Sequence, residues 1–137
     1  MLFVTRLLWL KIIGTALAAA FPMLLAPEWI YLSLGFPEQP TMLFVRLYGL
    51  STLALLFGYY SGIEQVRRGQ IPTGILRMGL VSNGGQGAAI VMAGAFGTFS
   101  TWGVLAQVMM WSLAAFILSI AMAILTVLLR RERPESS

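Results

Sequence analysis

Three residue types are missing from this chain: cysteine, histidine and aspartate. Its acidic residues are all glutamate, at 28, 38, 64, 132 and 135, and its single lysine is Lys11. Each absence excludes chemistry. Without cysteine there is no disulfide, so the redox compartment is unmarked. Without cysteine and histidine there is no ordinary zinc, iron–sulfur or blue-copper site. No histidine can serve as an axial ligand to haem or to chlorophyll. Ser–His and Cys–His nucleophile pairs are impossible. No cofactor, metal or catalytic residue is therefore expected.

Charge is scarce as well. Charged residues make up 10% of the 137 and hydrophobic ones 58%, with a mean hydropathy of +0.84; a soluble domain carries about 25% charged residues. A soluble fold could not cover itself with so little polar surface, whereas lipid accepts apolar side chains. The net charge is +4, but no basic face interleaved with aromatics accompanies it, so no nucleic-acid partner is expected.

What the chain does have is four apolar runs, at residues 7–26, 42–63, 74–97 and 104–129. About 20 helical residues cross roughly 30 Å of hydrocarbon, and helices satisfy their own backbone groups where lipid cannot. The continuation of the first run past Pro22 to Leu25 favours a true span over a secretory signal. The reading is an all-α integral membrane protein, a single domain over 1–137. Its four transmembrane helices, at about 5–26, 42–66, 73–97 and 103–130, form an up-down-up-down bundle, because short connections make sequential helices antiparallel. Residues 27–41 read as an interfacial loop.

Direction follows from the positive charges. Arg6 and Lys11, then Arg67, Arg68 and Arg77, then Arg130, Arg131 and Arg133 fall on one side of such a bundle. Arg46 alone falls on the other, with Glu28 and Glu38. Both termini are expected in the cytoplasm, in a multi-pass protein of the cytoplasmic, inner membrane. Arg46 is expected to pair with Glu28 or Glu38, or to reach lipid phosphate. Lys11 is expected to snorkel to the inner headgroups.

Within the spans, the sharpest feature is Ser82-Asn83-Gly84-Gly85-Gln86-Gly87. On a helical wheel Ser82, Gln86, Ala89 and Ala93 share a face with Gly79, and Asn83 stands at its edge. Such a face lines a polar path or glues helices together; packing is the preferred reading. Gly58 and Gly62, with Ala54, have the small-xxx-small spacing of close helix contacts. Tyr59-Tyr60 with Trp111 offer a surface to a quinone or flat lipid, although aromatic packing is the simpler account. Scattered methionines serve as apolar filler rather than copper ligands.

The string RLYGLSTLALLFGYYSG at 46–62, followed by a glycine-rich third span, resembles small four-helix bacterial membrane proteins of the DoxX-like kind. That group is functionally diverse, so the resemblance implies a bacterial cytoplasmic-membrane setting and no functional residue. The expected function is a non-catalytic accessory or structural subunit. It would pack on a larger respiratory, photosynthetic or transport complex or on copies of itself, with membrane lipid or quinone at its surface. The alternative is a small oligomeric transporter or channel with its path at Asn83 and Gln86. More remote is an enzyme acting on lipids or quinones.

Overall fold

The computed structural model describes residues 2–132, and among them every regular element is helical. Helix α1 (Leu2–Thr15), a π-helical segment (Ala16–Ala20) and α2 (Phe21–Leu25) run on as one rod, residues 2–25. A short α3 (Glu28–Ser33) follows, then three long helices: α4 (Leu43–Arg67), α5 (Thr73–Ala95) and α6 (Val104–Glu132). Arg133 and the rest of the polar tail, which entered the charge count, lie outside the described residues.

Proline punctuates the first rod. Pro22 has no N–H for the carbonyl four residues back, and its ring crowds that carbonyl. The turn before it widens, and the Phe21 N–H donates to Ala16 O, five residues back. Pro27 then stops the helix, leaving carbonyls at its end without intrahelical donors. Arg46, in the first turn of α4, fills the gap: Nη1 donates to Met23 O at 2.8 Å and Nη2 to Ala26 O at 2.6 Å. A cation at a helix C-terminus is also favoured by the helix dipole. Arg46 thus pairs with backbone carbonyls, not with Glu28 or Glu38 as its sequence position led us to expect. Nearby, Tyr31 Oη adds a second donor to Pro22 O at 2.8 Å, which also accepts the Ala26 N–H. Partial burial raises the Tyr31 pKa above its ordinary value, and the nearby Arg46 charge opposes that rise.

The helices pack as two antiparallel pairs, the first rod on α4 and α5 on α6, with α5 and α6 in the most extensive contact. Between pairs, α1 meets α6 and α4 meets α5. Leu8, Leu56, Tyr59, Ile63, Leu76 and Ile124 are buried where they meet. The outside is greasy: Phe44, Phe57, Val81, Phe96 and Val104 are all more than 70% exposed. A water-facing monomer rarely shows so much contiguous apolar surface.

Three helices are long and apolar enough to cross a membrane: Leu2–Leu25, Leu43–Arg67 and Val104–Arg130. The sequence reading counted four. The exception is α5, long enough at 23 residues but diluted by Arg77, Ser82, Asn83, Gln86 and six glycines. Three of those glycines, Gly79, Gly87 and Gly94, let it approach α6. A Cβ at Gly87 would lie 2.6 Å from Leu118 Cγ, and one at Gly94 would lie 2.5 Å from the Trp111 ring.

At one end of the bundle two loops touch backbone to backbone. The Gly103 N–H donates to Gly35 O at 2.8 Å, and a Cβ on either glycine would strike the other's backbone at 2.7–2.8 Å. Gly35 also has φ +89, a conformation open to glycine at little cost. Around this contact Tyr31, Phe36, Trp102, Phe99 and Trp111 stack in a chain, with successive ring centroids 4.7–6.1 Å apart.

The glycines of α5 should separate by environment. Gly87→Ala forces Leu118 aside and should lower thermal stability in detergent by about 1–3 kcal/mol, the usual cost of overpacking. Nothing lies within 4 Å of a Cβ built at Gly84, so Gly84→Ala should leave stability unchanged or raise it by up to about 1 kcal/mol. Equal destabilisation by both would contradict the α5–α6 packing.

Candidate functional site

Lys11 stands about 14 Å along the first rod, at ~1.5 Å per residue. Its side chain does not snorkel. It is 6% exposed, and Nζ donates to Asn83 Oδ1 at the middle of α5. The physical reason is position: the helix starts at Leu2, five residues before the apolar run, so Lys11 is too deep to reach the near end. Asn83, fully buried, donates from Nδ2 to Gly79 O at 2.5 Å and, more loosely, to Tyr59 Oη at 3.4 Å. One amide therefore joins three helices: α1 through Lys11, α4 through Tyr59, and its own α5. Among the described residues no buried side-chain nitrogen or oxygen is left without a partner.

Beside this cluster lies a cavity of about 260 Å³. Its polar wall is Lys11, Thr15, Thr52 and Gln86; its apolar wall includes Met110 and Phe116. The lining draws on the first rod, α4, α5 and α6, so the cavity is central to the bundle. The π segment forms part of its side through Ala18 and Ala19. The wide turn preceding Pro22 thus faces the opening, a common placement for π-bulges.

The residues singled out from sequence scatter over this geometry. Asn83 sits at the centre of the buried stripe of α5, with Leu76, Gly79 and Gly87, not at its edge. Gln86 lines the cavity and donates to Ser82 Oγ at 3.3 Å. Ala93 is half-buried and Ala89 is exposed, so the wheel centred on Gln86 was turned by about one residue. Gly58 and Gly62 lie on the α4–α5 contact. A Cβ at Gly58 would be 3.3 Å from Met78 Cε, and one at Gly62 would be 3.1 Å from Ile75 Cγ2 and 3.3 Å from Leu8 Cδ1. Arg46 belongs to the helix cap described above. Tyr60 and Trp111 are partly exposed, while Tyr59 is buried in the cluster.

The sequence reading missed Lys11 and Tyr59. A signal existed for Lys11: it is the only lysine, a charge inside an apolar run, and charged residues there are costly and face the bundle interior.

No family model, no curated protein and no solved structure matches the chain.

The Lys11–Asn83 bond can be weighed with a double-mutant cycle. Asn83→Leu alone leaves a buried amine without its acceptor and should destabilise the protein by about 1–3 kcal/mol. Lys11→Met in the same background should recover most of that loss in a thermal melt. Strictly additive effects would mean that the two side chains are not coupled.

Proposed function

We propose that this chain is a multi-pass membrane protein that holds a small amphiphilic molecule inside its helix bundle. One observation carries the reading: the cavity of about 260 Å³ with Lys11 in its wall. That volume is near the small end of ligand pockets, which run from about 300 to 1,000 Å³. Mostly apolar lining with a few convergent polar groups is the usual make-up of a ligand pocket. A transport path, the earlier alternative, is best placed past Gln86 and Lys11. Asn83 is closed off by its own hydrogen bonds, which favours a structural part for it.

In this proposal α5 crosses the bilayer as the fourth span. Its length supports this, and so does the burial of its polar centre against α1 and α4. The orientation argued from charge remains, with Lys11 removed from it. Arg6, Arg67, Arg68, Arg77 and Arg130 stay exposed and favour a cytoplasmic side for both ends. The absence of native cysteine makes the test direct. Single cysteines introduced at Gln70 and Ser100, which flank α5, should react with an impermeant maleimide from opposite faces of sealed vesicles. Labelling of both from one face would overturn the four-span arrangement.

A second reading, the accessory or self-associating subunit, rests on a different feature. The outward face of α5 presents Gly85, Ala88 and Ala89, and a Cβ at Gly84 or Gly85 would meet no neighbour. Small residues of this kind let another helix approach closely.

Native mass spectrometry of protein carried out of the membrane in lipid nanodiscs separates the two readings. Ligand binding predicts a bound small molecule that is lost in Thr15→Phe, which fills the cavity, while the oligomeric state is unchanged. A subunit role predicts additional chains and no dependence on Thr15.

A further inference from the structure

Lys11 carries three N–H donors, and Asn83 takes one of them. The acceptor is a neutral amide. No glutamate occurs in the stretches that line the cavity, which fall within residues 11–23, 48–52, 86–90 and 110–117. A buried charge is normally paired or neutralised, and here the lining residues supply no counter-charge. Lys11 itself lines a partly open, largely apolar space.

The shape narrows the class of ligand. Along the first rod the lining extends from Lys11 to Met23, about 18 Å at ~1.5 Å per residue. The cavity is thus a slot with a cation towards one end and apolar walls beyond it. Its volume suits one short chain rather than the two chains of a bilayer lipid. Gln86 and Thr52 add neutral hydrogen-bonding groups on neighbouring helices.

We infer that the cavity binds a single-chain lipophilic carboxylate, its anionic head on Lys11 and its tail along the slot towards Met23. The inference rests on the ligand-binding reading above and adds the sign of the ligand's charge and the residue that recognises it. The carboxylate supplies the counter-charge that the cavity lining lacks. The Lys11–Asn83 bond holds the amine at the wall, so little ordering of the side chain accompanies binding.

The test is equilibrium dialysis of radiolabelled octanoate and octanol against the full-length protein in zwitterionic nanodiscs, with empty nanodiscs as the partition control. Lys11→Met, Lys11→Arg and Thr15→Phe are compared with wild type, each checked for a cooperative melt above the assay temperature and a monodisperse profile. Octanoate should bind saturably and at least tenfold more tightly than octanol. Lys11→Met should abolish that preference, Lys11→Arg should retain most of it, and Thr15→Phe should block both ligands. Adding phosphatidylglycerol to the nanodiscs should leave octanoate binding unchanged; competition would assign the amine to a lipid headgroup and overturn the inference. Equal binding of octanoate and octanol, lost in Thr15→Phe but indifferent to Lys11→Met, would also overturn it while leaving the ligand-binding reading intact. Saturable binding of neither would remove both.

Discussion

The bond between Lys11 and Asn83 is the constraint from which the arrangement of this bundle follows. The two helix pairs are well packed internally, but between them the bundle relies on fewer contacts. A lysine amine donating to an amide across that divide sets both the rotation and the depth of α1 against α5. Through the looser bond from Asn83 to Tyr59, the same amide reaches α4. In an apolar surrounding each of these groups would be costly if left alone. The alternative rotations of α1 and α5 are therefore penalised more strongly than a purely hydrophobic interface would penalise them. Such polar ties specify a structure better than they stabilise it.

One end of the bundle and its middle are handled differently. At one end the carbonyls left free before Pro27 are gathered by Arg46, and the Gly35–Gly103 contact draws the two loops together under a line of aromatic rings. Deeper in the bundle, the π segment and the small residues near it leave room where the four helices meet. Closure by backbone and aromatics, with slack in the middle, puts the cavity within the helices rather than in the loops.

How much of this was legible depended on how far each signal reached along the chain. The apolar runs located the long helices, since hydropathy acts locally. Gly58 and Gly62 could be read as a packing ridge because their spacing is itself the helix repeat. The face of α5 was read one residue off because Gln86 and Asn83 compete for its centre, and only a partner 72 positions away decides between them. Lys11 was misplaced for the same reason: hydropathy marks where a run becomes apolar, not where the helix begins. The count of spans was the other difference. Helix α5 is long enough to cross but owes its burial to neighbours, which a sequence window does not see.

That dependence has a consequence for how the protein is made. A segment as apolar as α6 can leave the insertion machinery and rest alone in lipid. Helix α5, with an arginine, an asparagine, a glutamine and six glycines, gains far less from lipid and far more from a partner surface. The eight residues between the two helices allow α6 to fold back as soon as it emerges. On the four-span proposal, the α5–α6 hairpin rather than either helix is the unit of membrane insertion. The first rod and α4 would then already be in place to receive Asn83.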